Sequence, residues 1–341
     1  MERRDKKITM QDLAKELNTT PATISRALND SPQIGEEMTK RVKALAEKYN
    51  FQPNSFASNL RKGKSKTIGI VVPYINRHFF STIIHHIEVN VATEGFNVMI
   101  CQTAESFETE KEYIDMLINQ RVSGIIISLT KSTPNCSHIK KAIAEGIKVL
   151  QVDNVLKDSD TSYIKTKDRK GAKATVLHLL EQGYRKIALF NGIMSSKIYQ
   201  DRQQGYIDAH HEFGITPNED LCFCNTNNRE EGKAAMRTLL DSGADFDAVF
   251  SSGDYAALGA YLILKEKGIK IPQEVGIAGF ANEHFAELVT PSITTSDQHS
   301  AEMGKLAAQQ IVKEINDDKA EHLKISILPE LIIRESSLKN Q

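Results

Sequence analysis

Residues 8–29 read ITMQDLAKELNTTPATISRALN, a spacing that predicts two short helices joined by a tight turn. Thr9 followed by Asp12 resembles a capping box, in which two side chains satisfy the first free N–H groups of a helix. Segment 18–21, Asn-Thr-Thr-Pro, ends one helix and starts the next, because polar residues cap helices and proline suits the first helical position. The residues predicted to face inward are Leu13, Ala14 and Leu17 on the first helix and Ile24, Ala27 and Leu28 on the second.

A third helix is predicted from about Glu36 to Tyr49, after the helix-breaking segment 29–32, Asn-Asp-Ser-Pro. Its predicted inward-facing residues are Val42, Leu45, Ala46 and Tyr49. The amino-terminal part is therefore predicted to be an all-α helix–turn–helix headpiece.

From Thr67 onwards, short β-branched runs alternate with longer stretches of helical character. The runs are nearly continuous in apolar residues, which is typical of parallel strands covered on both faces. They are residues 68–72, 98–101, 124–127, 149–152, 187–190, 248–250 and 275–280. Glycines that close helices before strands, as in βαβ units, are Gly95, Gly146, Gly183, Gly214, Gly243 and Gly268. So many strands favour an α/β body of two doubly wound parallel-sheet lobes, divided near residue 167.

The net charge of −1 hides an uneven distribution along the chain. Residues 1–66 carry a net charge of +6 and the remaining residues a net charge of −7. A basic end on an acidic body indicates a polyanionic partner. The alternative at this point is chance variation of the surface charge.

The composition, 40% hydrophobic and 26% charged, is ordinary for a soluble globular protein. No apolar run approaches the roughly 20 residues of a membrane helix, and the basic segment 1–7 lacks the apolar stretch of a signal peptide. We therefore expect a cytoplasmic protein without a membrane partner. The spacing of Cys101, Cys136, Cys222 and Cys224 indicates neither a disulfide framework nor a zinc site, and Cys222 and Cys224 are expected to be buried thiols.

Hydrogen-bonding side chains around the second helix favour DNA reading. They are Thr23, Ser25, Arg26 and Asn29, on a helix short enough to enter a major groove by its amino end. Arg26 can pair bidentately with guanine, whereas hydroxyls and Asn29 suit phosphates. The alternative on spacing alone is a helical domain that docks onto another protein.

The chain also resembles a known family. Segments 8–14 (ITMQDLA) and 23–29 (TISRALN) resemble the headpiece of the lac-repressor (LacI/GalR) family, and segment 49–60 (YNFQPNSFASNL) resembles its hinge. The similarity continues through 67–73 (TIGIVVP) and covers essentially the whole chain. It implies a headpiece over 1–52, a hinge helix and linker over 53–66, and an effector-binding and dimerisation domain over 67–341. The two periplasmic-binding-protein-like lobes would span about 67–166 with 296–325, and about 167–295 with 326–341.

The same resemblance implies DNA contacts in the headpiece and hinge. Pro21, Ala22 and Arg26 match base-reading positions, and the first two would read shape or thymine methyl groups because they lack polar side chains. The implied DNA-binding residues are Thr9, Thr20, Pro21, Ala22, Thr23, Ser25, Arg26, Asn29, Asn54, Ala57 and Leu60. Segment 35–39, Gly-Glu-Glu-Met-Thr, departs from the family, which usually has a serine or threonine cap there. The third helix is therefore expected to start less firmly.

The hinge, Ser55 to Leu60, is too short to hold a helix alone. Two copies could form against each other in the minor groove, with Leu60 as an apolar wedge in a base step. This interpretation requires a homodimer and a palindromic operator in double-stranded DNA. The alternative is a flexible basic linker.

An effector site is predicted where the carboxyl ends of the strands of two facing lobes form a cleft. The predicted effector-binding residues are Phe79, Phe80, Ser128, Asp153, Arg202, Asp254 and Asn282, of which Arg202 and Asp153 match effector positions of the family. Phe79 and Phe80 are equally consistent with stacking on a ligand and with ordinary core packing. Ala281 replaces an aspartate and Gly253 a polar residue usual in the family. These departures predict a less hydroxylated effector, a substitute group such as Asn282, or a degenerate pocket.

The leading functional hypothesis is a dimeric transcriptional repressor or activator, with repression favoured, controlled by a sugar, a sugar derivative or another metabolite. A solute-binding protein shares the predicted body, but the basic headpiece argues against it. An enzyme is not expected, since the chain has neither a dinucleotide-binding glycine motif nor a nucleophile elbow. The triplet Gly63-Lys64-Ser65 is not a phosphate loop, because position 58 is serine where that motif needs glycine. No cofactor, metal site or catalytic residue is predicted.

Overall fold

The computed structural model describes residues 8–51 and 65–339. The chain divides into two compact units, and the boundary along the sequence lies between Ser65 and Lys66. We call the first unit the headpiece and the second, Lys66–Gln341, the body. Each is described by itself.

The headpiece consists of three helices, α1 (Met10–Glu16), α2 (Pro21–Leu28) and α3 (Glu36–Lys48). The capping box at α1 is present: Asp12 N–H donates to the Thr9 hydroxyl, and Thr9 N–H donates to the Asp12 carboxylate. At α2 the Thr20 hydroxyl accepts the N–H of Thr23, without the reciprocal bond of a capping box, and Pro21 occupies the first helical position. The buried core contains Leu13, Ala14, Ile24, Ala27, Val42 and Leu45, which includes most of the predicted set.

The first lobe of the body is built on a six-stranded parallel sheet. Its strands are β1 (Thr67–Val72), β2 (Asn97–Gln102), β3 (Gly124–Ile127), β4 (Lys148–Val152), β5 (Ser162–Thr166) and β11 (Lys324–Ile327), in the order β11-β5-β4-β3-β1-β2. The helices of this lobe are α4 (His78–Thr93), α5 (Phe107–Asn119), α6 (Ser137–Ala144) and α12 (Ser300–Asn316). Alternate strand residues pack on α4 and α12 on one face and on α5 and α6 on the other. The near-continuous apolar runs follow from burial of both faces.

The second lobe has a four-stranded parallel sheet in the order β7-β6-β8-β9. The strands are β6 (Ile187–Phe190), β7 (Cys222–Phe223), β8 (Ala248–Ser251) and β9 (Gly276–Ala278). The helices are α7 (Asp168–Glu181), α8 (Lys197–Glu212), α9 (Arg229–Asp241), α10 (Asp254–Glu266) and the short α11 (Phe285–Leu288). Helices α7 and α8 cover one face of the sheet, and α9 and α10 cover the other. Strands β10 (Thr295–Asp297) and β12 (Glu330–Ile332) pair antiparallel where the chain passes between the lobes.

Two local expectations are wrong. Only residues 276–278 of the run 275–280 form a strand, because the chain turns into the cleft after Ala278. Cys222 and Cys224 are not a buried pair: Cys222 is half-buried and Cys224 is exposed, because β7 ends at Phe223. The six predicted glycine caps are confirmed, each with φ between 66° and 93°.

Candidate DNA-reading surface and interlobe cleft

Helix α2 buries one side and exposes the other. Ile24 and Ala27 are fully buried, and they hold the helix against α1 and α3. Five of the predicted DNA-binding residues are exposed on or beside it: Thr20, Pro21, Ala22, Arg26 and Asn29. The predicted base-reading and phosphate-contacting side chains therefore lie on one accessible helix, as major-groove reading needs.

The polar side chains of this surface differ in their availability. Asn29 donates its amide to Ser25 O at 2.7 Å, and the hydroxyls of Thr20 and Thr23 lie 3.0 Å apart. Arg26 is exposed, and within residues 8–51 and 65–339 its side chain has neither an ion pair nor a hydrogen-bond partner. Its guanidinium is therefore free to bind an external acceptor. Asn54, Ala57 and Leu60 lie outside the described residues, and so does the predicted hinge helix.

A cavity of about 110 Å³ lies between the two lobes of the body. Its walls are the segments that follow the carboxyl ends of β1, β3 and β4 on one side and of β6, β8 and β9 on the other, as the architecture predicts. Among the predicted effector-binding residues, those that line it are Phe79, Phe80, Asp153, Arg202 and Asp254. Such a volume holds several water molecules or a small organic ligand.

Arg202 is held in the cleft by its own chain. Its Nε donates to Asp168 Oδ1 at 2.8 Å and its Nη1 donates to Ser252 O at 2.6 Å. The guanidinium also stacks on Phe280, with its carbon 3.8 Å from the ring centroid. Asp168, which the sequence reasoning missed, thus orients Arg202 before any ligand arrives.

Asp153 presents a carboxyl group whose charge depends on pH near neutrality. Burial, and then the neighbouring Asp168 carboxylate, raise the pKa of Asp153 to about 7, although Arg202 and Lys131 oppose the rise. Its backbone is in the left-handed region, with φ of 60°. Ser128 does not line the cavity among the described residues, but its hydroxyl lies 3.4 Å from Asp153 Oδ2 and supports that carboxyl group.

Asp254 and Asn282 are engaged within the protein. Asp254 accepts the Glu283 N–H at 2.8 Å and the Thr295 hydroxyl at 2.7 Å, while burial raises its pKa to about 6. Asn282 donates to Asp297 at 3.1 Å and accepts from Arg334 at 2.9 Å, and it is not among the described residues that line the cavity. In this structure Asn282 therefore does not replace the carboxylate that is missing at Ala281.

Three cleft residues that the sequence did not single out form a cluster. Lys131 Nζ lies 3.0 Å from Glu105 Oε1 and 5.2 Å from the ring centroid of Tyr199, which belongs to the other lobe. Burial alone would lower the pKa of Lys131, but Tyr199 and Glu105 raise it. The ammonium is therefore charged inside the cleft. These residues are far apart in the sequence and carry no local motif, so no signal in the chain marks them.

Two further cavity-lining residues have polar atoms that lack a hydrogen-bond partner in the described structure. They are the buried Oγ of Ser252 and the buried Oδ1 of Asn227. Buried polar atoms are nearly always satisfied, so these two atoms point to a ligand or ordered water in the cavity. The adjacent Gly253 leaves open space, because a Cβ at that position would contact nothing within 4 Å.

Comparison with known families accounts for both units. Residues 65–335 match the family model of periplasmic binding proteins and the sugar-binding domain of the LacI family. Residues 9–54 match the model of bacterial regulatory proteins of the lacI family. The chain belongs to the LacI family. The predicted family and fold class are thereby confirmed, and the family consists of regulators rather than enzymes.

Individual relatives align over most of the chain or nearly all of it. The HTH-type transcriptional repressor PurR of Histophilus somni is 28% identical over 328 residues, covering 96% of this chain and 98% of the relative. The lac repressor dimer bound to operator and an anti-inducer has the same fold, with a TM-score of 0.86, 22% identity, and coverage of 98% and 100%. A LacI family regulator of Enterococcus faecium with bound ribose has a TM-score of 0.72 and 25% identity, covering 81% of this chain and 100% of its own. Across the described residues, no helix is both long and apolar enough to cross a membrane.

Proposed function

We propose that this chain is a transcriptional repressor of the bacterial cytoplasm that binds a palindromic operator as a homodimer and is controlled by a small molecule in the interlobe cleft. The observation that carries the proposal is the joint presence of an exposed, unpaired Arg26 on α2 and a cleft with unsatisfied polar atoms. The repressor assignment is supported by the PurR relative, which aligns over 96% of this chain.

The DNA-reading surface is proposed to use two kinds of contact. Arg26 reads a guanine edge in the major groove, while Thr20, Thr23, Ser25 and Asn29 bind phosphates and fix the register. Pro21 and Ala22 offer apolar contact to thymine methyl groups. The paired hinge segments, with Leu60 as the wedge, belong to the proposal on sequence grounds alone.

The effector is proposed to be a sugar or a sugar derivative. Arg202 and Lys131 supply donors, Asp153 a carboxyl group, and Asn227 an unsatisfied acceptor, while aromatic rings line the remaining wall. Flat apolar faces with a few polar edges suit a ring-shaped polyol. The Enterococcus faecium regulator with bound ribose shows that a relative of similar fold accommodates such a compound. Since Ala281 and Asn282 offer no free carboxylate, fewer hydroxyl groups are bound on that wall than in the usual family pattern.

The homodimer is proposed to form through the first lobe. Strand β2 is an edge strand in the described sheet, and its Ile100 is 47% exposed. Val89, on the neighbouring α4, is 45% exposed. An apolar side chain on an unpaired edge is normally covered by a partner or else promotes aggregation.

The decisive experiment is selection of bound sequences from a random duplex library by the full-length protein. We expect a palindromic consensus whose affinity falls steeply with salt, because each neutralised phosphate releases counterions. The titration is repeated with pooled sugars and nucleosides to identify the effector. A folded protein that enriches no sequence, with or without the metabolite pool, would contradict the repressor proposal and leave a solute-binding protein.

A further inference from the structure

Glu283 reaches across the cleft from one lobe to the other. It follows β9 in the second lobe, yet its Oε2 accepts the backbone N–H of His78, at the start of α4 in the first lobe, at 2.9 Å. The N–H of Phe79 also favours the ionised form of this carboxyl group and so opposes the rise of its pKa. Glu283 is only 4% exposed. It is thus a buried carboxyl group that caps a helix of the opposite lobe.

Burial raises the pKa of Glu283, but two features of its position oppose that rise and favour the carboxylate. The first N–H groups of the 16-residue α4 have no cap from Arg77, the residue that precedes the helix. A helix amino terminus carries partial positive charge and unsatisfied donors. The Arg77 guanidinium stacks 3.8 Å from the ring centroid of Tyr255, another second-lobe residue, and its charge also stabilises the Glu283 carboxylate.

The loop that presents Glu283 is held in a strained conformation. Ala281 has a φ of 116° and Asn282 a φ of 52°, and residues other than glycine seldom adopt such positive values. Ala281 N–H is fastened to Ser296 O at 2.8 Å, and Glu283 N–H is fastened to Asp254 Oδ2 at 2.8 Å. The conformation is therefore determined by several bonds, and its result is to aim the Glu283 side chain at α4.

We propose that Glu283 is a positioning residue that latches the two lobes together and keeps the cleft closed without an effector. The inference rests on the proposed effector cleft and assigns its closure to the chain itself. Where the family usually has a ligand-binding aspartate at 281, this chain has alanine and, two residues later, a carboxylate bound to the opposite lobe. An effector then binds a cleft that is already arranged, because the cost of closure has been met by an intramolecular bond.

The test measures the distance between the lobes in the ligand-free, full-length protein by pulsed electron resonance. Spin labels are placed on Glu145→Cys and Lys267→Cys, exposed positions at the ends of α6 and α10, with Cys222 and Cys224 changed to serine. We expect a narrow distance distribution in the otherwise unchanged protein. Glu283→Ala should broaden and lengthen it, with the closed-to-open ratio falling about tenfold, the effect of losing a charge-assisted hydrogen bond.

Two further variants make the result specific. Glu283→Gln keeps the shape of the side chain and one oxygen acceptor. It should shift the distribution less than Glu283→Ala does, because the neutral amide oxygen still accepts the hydrogen bond, although more weakly than a carboxylate. Glu287→Ala removes a carboxylate from the same segment whose one ion pair among the described residues is with His284, and it should change nothing. Circular dichroism checks that each variant is folded. An unaltered distribution in both Glu283 variants would overturn the latch, whereas the selection of DNA sequences by the unchanged protein tests the repressor proposal separately.

Discussion

Arg26 is an exposed residue of α2 whose side chain is available to DNA. Because its side chain is exposed and forms no ion pair or hydrogen bond within the described part of the chain, truncating it to alanine should leave the headpiece fold intact. We predict that Arg26→Ala weakens binding to the selected operator by about 1–3 kcal/mol and relaxes the preference at one base pair of each half-site. Competition binding with single-base operator variants measures this. The control is Lys267→Ala, an equal change of charge on the body, which should leave the base preference unchanged. If Arg26→Ala also leaves the base preference unchanged, Arg26 contacts only phosphate, and base reading by Arg26 is contradicted.

Asp153 should make the stability of the body depend on pH. Its pKa is raised in the folded state to about 7, so the folded protein binds this proton more tightly than the unfolded chain does. This tighter proton binding therefore adds to the free energy of unfolding at low pH, and its contribution is lost as the pH rises from about 4 towards 7. Asp153→Asn removes the ionisation, and we predict that the variant gains stability over the parent between pH 5 and pH 8, by up to about 1.4 kcal/mol per unit of pKa shift.

Urea unfolding of the parent and variant at several pH values measures this gain. Asp241→Asn, at an exposed position at the end of α9, serves as the control and should show no comparable trend. A gain in the Asp153 variant that is constant with pH would show that the carboxyl group is already ionised at pH 5.

At the scale of elements, the three headpiece helices differ in how they begin. Helices α1 and α2 start on threonine caps, whereas α3 starts at Gly35 without a side-chain cap. A Cβ at Gly35 would meet nothing within 4 Å, and its φ of −61° suits any residue. We predict that Gly35→Ser stabilises the headpiece by a few tenths to about 1 kcal/mol, because a hydroxyl accepts a free N–H of the first turn and the unfolded chain loses freedom.

Thermal unfolding followed by circular dichroism measures the effect of the cap. Gly35→Ala is the matched variant, because it restricts the unfolded chain without supplying an acceptor. Serine should therefore exceed alanine in stability. Equal stability of the two variants would show that the N–H groups of α3 gain nothing from a cap.

At the scale of the whole molecule, the proposed homodimer depends on the edge of the first lobe. We predict that Ile100→Asp, on edge strand β2, converts the protein to a monomer and lowers operator affinity at least tenfold, since a buried unpaired carboxylate is costly and one headpiece reads only half a palindrome. Sedimentation equilibrium measures the association. Ile143→Asp, at a 38% exposed position on α6, makes the same chemical change elsewhere and should remain dimeric. A dimer that persists in the Ile100 variant would place the interface on another surface.

Local features of the sequence were sufficient for the elements and their class. The helix caps at Thr9 and Thr20 and the glycines that end the helices of the body act within a few residues, so the chain carries these signals locally. The apolar runs of β1, β3, β4, β6 and β8 were equally legible, because strands buried on both faces need continuous apolar residues. Strands β5, β7, β10 and β11 were missed, since most are short or half-buried and depend on a neighbouring strand more than on their own residues.

The sequence by itself determined the family, the two-unit organisation and five residues that the structure brings together in the cleft. Only the tertiary structure decided how those residues are used. Asn282 was a reasonable substitute for the missing carboxylate. In the folded chain, however, its side-chain amide is hydrogen-bonded to Asp297 of β10 and to Arg334, which follows β12. Lys131 and Glu283 carry no local signal, since each acquires its role from a residue of the opposite lobe. Contacts between distant segments depend on how the lobes face each other, and that geometry is a property of the packed molecule rather than of any stretch of the chain.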